Sequence, residues 1–273
     1  MIMLLAGKTA IVYGAAGFVG GAVARAFAGE GATAYLAGRT KRTLDQVAEA
    51  IRSAGGAAEV AQVDVLDEAA VDQHAADVVA ASGGIDIAFN AVTFGDVQGA
   101  ALVDMPLTHA TQPVINALRG QSITTRAVAR SMVERGQGVM MTCTGYGTPS
   151  PDLGSTMVAW TVVEGLYRQL ACDLGPKGVR VAWLRTGGFR ESILGATEYD
   201  SLHYYSDGDI TAVGDAETDE SVRETLGLLE DGTMLKRLPT LAEAGAAAVY
   251  LASDHAGGVT ATAINLTAGA TVD

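Results

Sequence analysis

Short apolar runs alternate with longer stretches of helical periodicity along the whole chain. Seven of these runs are four to six residues long and nearly continuous in apolar side chains, which is typical of strands covered on both faces. The predicted strands lie at 10–13, 33–36, 58–63, 85–89, 139–142, 179–184 and 263–266. Alanine-rich helices are predicted at 20–29, 41–54, 67–81, 111–135, 155–175 and 240–252.

The alternation of strands and helices indicates the fold class. A strand, a helix and a second strand in this order predict a right-handed βαβ crossover, which generates a parallel sheet. We therefore predict an α/β fold with a single Rossmann-like, doubly wound parallel sheet of about seven strands and helices on both faces. No repeat or composition shift divides the chain, so residues 1–273 are predicted to form one dinucleotide-binding domain.

One segment interrupts the alternation. Between Arg190 and Lys236 the pattern contains no strand, and acidic residues accumulate. Loops of this length in compact domains are usually lids or binding loops, so we predict an acidic lid or substrate loop at about 190–236. His203, Tyr204 and Tyr205 lie near its beginning. A solvated acidic flap that its tyrosines merely pack down is the alternative interpretation.

The charge balance excludes one class of partner. The chain has 18 lysines and arginines against 31 acidic residues, a net charge of −13, which is unsuited to a protein that follows nucleic-acid phosphates. No apolar run approaches the length of a membrane span, and the amino terminus does not resemble a signal peptide. Two cysteines, Cys143 and Cys172, cannot build a disulfide framework. We expect a soluble, cytoplasmic protein with neither a membrane nor a nucleic-acid partner.

The histidines and cysteines show no metal-ligand spacing, so no metal site is predicted. His74, His109 and His255 lie in polar surroundings, and we expect them at the surface. Cys143 has no base or positive group nearby in the sequence, and we interpret it as a buried, inert thiol.

The first predicted strand runs directly into a glycine-rich turn that precedes an alanine-rich helix. Glycines spaced in this way permit a tight turn and let a pyrophosphate approach the helix N-terminus, where free N–H groups and the helix dipole favour anions. A plain strand–helix turn would rarely need three glycines so spaced. We expect cofactor contacts from Gly14, Gly17, Phe18, Val19 and Gly20.

The end of the second predicted strand indicates which dinucleotide is bound. A carboxylate there favours a free ribose 2′-hydroxyl, whereas a small residue followed by arginine favours a 2′-phosphate. This chain has Gly38 and Arg39 there, with Lys41 and Arg42 following. We therefore predict NADP(H) in preference to NAD(H), with Arg39 as a contact. The alternative, a solvated basic helix start, is disfavoured because cations there oppose the helix dipole.

Further motifs carry a family resemblance over nearly all of the chain. Besides the glycine turn they are Asp64-Val65 after the third strand, Asn90-Ala91 after the fourth, Asn116 in the next helix, and the stretch 170–181. Together these residues resemble the short-chain dehydrogenase/reductase superfamily. The resemblance implies that Asp64 and Val65 contact the adenine and that Asn90, Ala91 and Gly187 border the cofactor. It also implies pairing through the helices at 111–135 and 155–175, hence a homodimer or homotetramer.

The chain departs from this family at the residues that carry its chemistry. Family members use a Tyr-x-x-x-Lys pair on the helix after the fifth strand, and a serine at the end of that strand. Counting back from 170–171 puts the tyrosine position on Thr156, the lysine position on Trp160 and the serine position on Cys143 or Thr144. No lysine lies between residues 41 and 177, so no shift of register restores the pair.

A second departure follows the sixth family strand, where the usual Pro-Gly is replaced by Thr186-Gly187. Proline fixes φ and removes an N–H donor, and both effects are lost here. We expect a reshaped nicotinamide pocket.

Three functions are consistent with these observations. The first is an NADP(H)-binding oxidoreductase with a non-standard acid/base site that acts on a ketone, an alcohol or an activated alkene of a small apolar metabolite. Asn116, Thr144, Tyr146 and Thr156 would then replace the missing pair. The second is a redox-silent cyclase, dehydratase or isomerase in a cavity walled by Trp160 and Tyr146. The third is a binding protein that senses a nucleotide without chemistry.

Overall fold

A seven-stranded parallel sheet lies at the centre of the molecule, for which a computed structural model describes residues 3–145, 151, 153–195, 202–206, 209–212 and 219–272. Its strands are β1 (Thr9–Tyr13), β2 (Thr33–Gly38), β3 (Ala57–Gln62), β4 (Ile87–Asn90), β6 (Gly138–Gly145), β7 (Val179–Thr186) and β10 (Thr262–Leu266). Their order is β10-β7-β6-β4-β1-β2-β3. The predicted sheet is confirmed, and its connections reverse direction between β1 and β4.

Helices cover both faces of this sheet, as predicted. One face carries α1 (Phe18–Gly29), α2 (Lys41–Ser53) and α8 (Leu241–Ala252). The other face carries α3 (Glu68–Ser82), α4 (Leu107–Arg135) and α5 (Thr156–Leu174). Each layer buries its own apolar cluster against the sheet, because the strands present aliphatic side chains on both sides.

A second, three-stranded sheet contradicts one prediction. It consists of β5 (Asp96–Gln98), β8 (Leu202–Ser206) and β9 (Asp209–Ala212) in the order β5-β8-β9. The expectation of no strand between residues 190 and 236 is therefore wrong; α6 (Arg190–Leu194) and α7 (Asp219–Asp231) also lie there. Since β8 pairs with β5 from a distant part of the chain, this strand depends on a tertiary partner that a local pattern does not reveal. The role of the segment as a lid stays a prediction.

The expectation that His74 lies at the surface is also wrong. Its side chain is only 7% exposed, and its ring meets the edge of Tyr13 at a centroid distance of 5.8 Å. His74 follows Val71 by three residues and therefore shares the buried stripe of α3. Burial lowers the pKa of His74, so the ring is neutral at physiological pH.

Within the described ranges, no helix combines the length and the apolar character that crossing a membrane requires. The same part of the chain contains no group of three or more His, Cys, Asp or Glu side chains that could hold a metal ion.

We predict that the contact between α1 and β4 is a main support of the sheet. Phe27 and Phe89 are fully buried and pack edge to face, with ring centroids 6.4 Å apart. The substitution Phe27→Ala should lower the free energy of unfolding by about 3–5 kcal/mol, measured by urea denaturation, because it leaves a cavity in a close-packed layer. The control Val103→Ala, at a side chain 90% exposed, should change it by less than about 0.5 kcal/mol. Equal losses in the two variants would contradict the prediction.

Candidate functional site

A cavity of about 740 Å³ opens at the carboxyl ends of β1 to β4, where the sheet connections reverse. Ligands of doubly wound sheets bind at this kind of position, and the volume suits a small-molecule ligand. Seven of the predicted site residues line the cavity: Gly14, Gly17, Arg39, Asp64, Val65, Ala91 and Asn116.

The glycine turn brings the ends of β1 and β4 together. Gly14 has a φ of +77°, and a Cβ on it would lie 2.5 Å from the carbonyl oxygen of Ala91. A Cβ on Gly20 would overlap the carbonyl oxygen of Gly14. Both positions therefore require glycine, the first for its backbone conformation and both for close approach.

The N-terminus of α1 is open toward an anion. Its N-cap, Gly17, is extended and provides no side-chain cap, and the first amides of a helix have no acceptor within the helix. Together with the helix dipole, these N–H groups favour a phosphate. Phe18, in contrast, does not line the cavity, and its ring lies against Gly195 beyond the end of α6.

Two guanidinium groups border the far end of the cavity. Arg39 and Arg42 both line it and are exposed, and neither has an ion-pair partner among the described residues. Lys41, between them, pairs instead with Asp45 at 2.8 Å. Because arginine matches phosphate oxygens with a planar fork of donors, this end of the cavity is suited to a phosphate group.

The residues after β4 line the cavity from 91 to 95, and α4 holds them in place. The side-chain amide of Asn116 donates to the carbonyl oxygen of Phe94 at 3.2 Å and accepts from Gln112 at 2.8 Å. Asn116 therefore anchors residues 91–95, a strip of chain that forms part of the cavity wall.

Asn90 lies under the site and not on the cavity. Its buried side-chain amide nitrogen donates to the hydroxyl of Thr124 at 2.5 Å, and its backbone carbonyl oxygen accepts from the hydroxyl of Thr142 at 2.7 Å. Asn90 also borders a small void of about 10 Å³, together with Tyr13. Asn90 thus joins β4 to α4 and β6 below the site.

Thr144 is bonded to a buried carboxylate. Its hydroxyl is buried and donates to Oε1 of Glu164 at 3.2 Å. Glu164 also accepts from Arg185 and Arg168, each at 2.8 Å. Burial alone would raise the pKa of Glu164, but the hydrogen bonds and charge of Arg185, assisted by Arg168, outweigh it and hold that pKa below its usual value.

Trp160, which the sequence analysis put at the lysine position, covers the end of β6. A Cβ on Gly145 would overlap the indole ring, so the two residues are complementary in size. Thr156, one helical turn earlier, is buried, and its hydroxyl accepts from the amide of Gln98 at 3.2 Å. Tyr146 lies outside the described residues.

The turn after β7 is closed by a side chain. The hydroxyl of Thr186 donates to the carbonyl oxygen of Gly188 at 3.0 Å and accepts from its N–H at 3.1 Å. This pair of hydrogen bonds replaces the constraint that a proline ring would impose. Gly187, within the turn, does not line the cavity. Val19 and Gly20 likewise lie outside its lining.

Two polar residues of this region escaped the sequence analysis. Asp96 and Gln98 are on β5, directly after the strip that lines the cavity. Oδ1 of Asp96 is enclosed without a hydrogen-bond partner among the described residues, and burial raises the pKa of Asp96 to about 6. The sequence signal that could have revealed these two residues is the polar–apolar–polar alternation Asp-Val-Gln after the fourth strand, but three residues are too few for a periodic pattern.

Burial raises the pKa of Cys143 to about 12, which agrees with the interpretation of this residue as an inert thiol.

Comparisons with known proteins show what the chain is similar to. The family model described as enoyl-(acyl carrier protein) reductase matches residues 14–207. An uncharacterised oxidoreductase of Bacillus subtilis is 29% identical over 257 residues, covering 94% of this chain and 88% of its own. The mitochondrial (−)-isopiperitenol/(−)-carveol dehydrogenase of Mentha piperita is 32% identical over 181 residues, covering 65% and 68%. The crystal structure of a short-chain type dehydrogenase/reductase from Mycobacterium marinum superposes with a TM-score of 0.81 at 25% identity, covering 100% and 98%.

The carboxylate of Glu164 should stabilise the fold in a pH-dependent manner. The substitution Glu164→Gln should lower the free energy of unfolding at pH 7 by about 2–3 kcal/mol, because it leaves two guanidinium groups without their counter-charge. Since the pKa of Glu164 is lowered in the folded state, its contribution is full above the unfolded pKa of about 4.3 and is lost as the pH falls through the folded pKa.

Denaturant unfolding at several pH values measures this contribution. The difference between the wild type and the variant should shrink as the pH falls below about 4. The matched control is Glu134→Gln, at an exposed glutamate of α4, and it should change stability by less than about 0.5 kcal/mol. A difference independent of pH would contradict the assignment of an ionised, paired Glu164.

Proposed function

The chain belongs to the short-chain dehydrogenase/reductase superfamily, and from this premise we propose that it is an NADP(H)-dependent oxidoreductase with a non-standard acid/base site. Its substrate would be a ketone, an alcohol or an activated alkene of a small apolar metabolite. The observation that carries the proposal is the single cavity that runs from the glycine turn to Arg39 and Arg42. Gly17 at the start of α1, the two arginines, and Asp64 and Val65 all line this one cavity.

The residues of the cavity fit the dinucleotide that the family implies. The amide groups at the start of α1 would hold the pyrophosphate, and Gly14 and Gly17, which line the cavity, would leave room for its approach. Asp64 and Val65 would border the adenine, and Arg39 and Arg42 would bind a 2′-phosphate. When bound, the nicotinamide gives or takes a hydride; the protein must orient the substrate and move a proton.

The predicted replacements for the tyrosine and lysine have other contacts. The hydroxyl of Thr144 is bonded to Glu164, and the amide of Asn116 is bonded to the cavity strip. The hydroxyl of Thr156 accepts a hydrogen bond from Gln98 and remains able to donate one to a substrate oxygen. Thr156 therefore suits an orienting role, and the proton must come from a more acidic group.

An apolar substrate is supported by the aromatic groups near the site. Phe94 lines the cavity, and Trp160 is partly buried over the end of β6. The Mentha piperita relative is named for the dehydrogenation of isopiperitenol and carveol, which agrees with an alcohol or ketone as substrate. Since two apolar rings bury a flat ligand without demanding polar partners, we propose a small cyclic or unsaturated compound.

The redox-silent alternative is favoured by one observation. The ring of Trp160 lies over Gly145 at the end of β6, and at the predicted lysine position it would take the volume that a lysine and a bound ribose need. An enzyme of this alternative class would use the cavity of the fold for cyclisation, dehydration or isomerisation, without transfer of a hydride. The two proposals differ in their need for a nucleotide.

Turnover with and without nucleotide distinguishes them. We expect the purified protein to bind NADPH and to oxidise it in the presence of some member of a panel of apolar ketones and enones. Carefully stripped protein should have no activity on the same panel. Activity that survives removal of all nucleotide would overturn the proposal in favour of the redox-silent class.

Substitution of the basic end of the cavity tests the cofactor preference. Arg39→Ala should weaken NADPH binding by about 10- to 100-fold, because it removes hydrogen bonds to a charged group worth about 1.5–3 kcal/mol. NADH, which has no 2′-phosphate, should bind to the variant and to the wild type equally.

Lys41→Ala is the matched control for this experiment. Lys41 is two positions further along the chain and carries the same charge, but it pairs with Asp45 and does not line the cavity. Fluorescence titration of both nucleotides against the three proteins measures the six affinities. An equal effect of the two substitutions, or tighter wild-type binding of NADH, would contradict the NADP(H) assignment.

A further inference from the structure

The region around the start of α5 contains polar atoms without partners. Oδ1 of Asp96 and the hydroxyl of Ser155 are both enclosed and have no hydrogen bond among the described residues. Buried polar atoms are nearly always paired in native proteins, so each exception needs an explanation. Asp96 directly follows Gly95, which lines the cavity, so we attribute the missing partner of its carboxyl to a ligand bound there.

Asp96 directly follows the cavity lining and shares a strand with Gln98, which reaches Thr156 at the predicted tyrosine position. The cavity lining ends at Gly95, and Asp96 is the next residue and the first of β5. Alternate residues of a strand share a face, so Asp96 and Gln98 point to the same side, with Cα atoms about 7 Å apart. Gln98 reaches the hydroxyl of Thr156 on that side. The carboxyl of Asp96 therefore lies on the face of β5 that is directed toward Thr156.

Contacts on three sides hold β5 in place. Asn116 of α4 holds the carbonyl oxygen of Phe94, two residues before Asp96. The chain of β8 pairs along the opposite edge, with Leu202 in register with Asp96. Gln98 is anchored at Thr156 of α5. The carboxyl is thus carried by a strand fixed to two helices, which suits a group that must meet a substrate at a defined point.

Burial favours the protonated form of this carboxyl. Asp96 keeps part of its surface exposed, but its Oδ1 atom is enclosed and receives no hydrogen bond from the described residues that would favour the charged form. No charged side chain of α4 or α5 contributes to the shift, and burial alone raises the pKa of Asp96 to about 6. A carboxyl in this state exchanges its proton near neutral pH, which a phenol or an alcohol without a cationic neighbour does not.

We propose that Asp96 is the catalytic acid and base of this enzyme, in place of the missing tyrosine and lysine. The assignment rests on the proposed oxidoreductase function and deepens it. Thr156 orients the substrate oxygen, and Asp96 exchanges the proton with that oxygen.

Every proton of the proposed step has a named source and a named acceptor. In the reducing direction the carbonyl carbon would take up a hydride, which bound NADPH would supply in becoming NADP⁺. The carbonyl oxygen takes the proton of Asp96, so the C=O double bond becomes a C–OH single bond and Asp96 is left as a carboxylate. Water then reprotonates the carboxylate between turnovers. In the oxidising direction the carboxylate accepts the hydroxyl proton.

The variant Asp96→Asn tests this role because it keeps size and polarity and removes the ionisable proton. NADPH-dependent reduction should fall by about 10²- to 10⁴-fold, with the affinity for NADPH unchanged. Asp96→Glu should recover part of the rate. The wild-type reduction rate should be constant below pH 6 and decline above the pKa of about 6, whereas oxidation should rise over the same interval. The asparagine variant should lose this dependence.

Infrared difference spectroscopy supplies a readout that is independent of turnover. The wild type should show a protonated carboxyl band that disappears as the pH rises through about 6, and Asp96→Asn should lack it. The control Asp104→Asn, at an exposed aspartate of the loop before α4, should retain the band, the rate and the pH profile. Unchanged NADPH affinity in each variant verifies that the fold is intact.

The outcomes separate this proposal from the proposed function. If the wild type reduces carbonyl compounds and Asp96→Asn keeps its rate and pH profile, the assignment of Asp96 is overturned and the oxidoreductase function stands. If the wild type binds NADPH but reduces no carbonyl or enone at any pH, both are overturned. Absence of a carboxyl titrating near pH 6 overturns the assignment irrespective of activity.

Discussion

The close approach of β1 and β4 at Gly14 is the constraint on which the site depends. Because a Cβ on Gly14 would collide with the carbonyl of Ala91, the chain can turn from β1 into α1 directly against the end of β4. That turn places the amides at the start of α1 at the edge where the sheet connections reverse. The proposed phosphate site, the proposed adenine position and the strip from 91 to 95 all depend on this turn.

Much of the fold follows from local sequence pattern. The central strands are buried on both faces, so apolar runs such as Ile11–Val12 identify them without knowledge of their neighbours. Similarly, Gly14, Gly17 and Arg39 were predictable as lining residues, because each satisfies a backbone or charge requirement of a dinucleotide site.

What could not be predicted depends on contacts between distant segments. The pairing of β8 with β5 joins residues more than a hundred positions apart, and neither strand is long enough to show its period. Asp96 was missed for the same reason. His74 was misplaced because its polarity outweighed its spacing from Val71, although that spacing puts it on the buried stripe of α3. Asn90 and Thr144 lie at the strand ends that the pattern predicts, but their side chains form hydrogen bonds with Thr124 and Glu164 and not with the cavity.

The positions where the sequence predicts departures from the family pattern are occupied by packed or hydrogen-bonded side chains. Trp160 fills the volume over Gly145, Glu164 binds the hydroxyl of Thr144, and the hydroxyl of Thr186 closes the turn after β7. Asp96, which directly follows the residues that line the cavity, lies on a strand that is held by α4, α5 and β8.

A crystal structure with NADP⁺ and a bound ketone or alcohol tests this account most directly. The account predicts a 2′-phosphate between Arg39 and Arg42, a pyrophosphate at the start of α1, and the ligand oxygen within hydrogen-bond distance of both Thr156 and the carboxyl of Asp96. A nicotinamide displaced from the site by Trp160, with the ligand oxygen remote from Asp96, would contradict it.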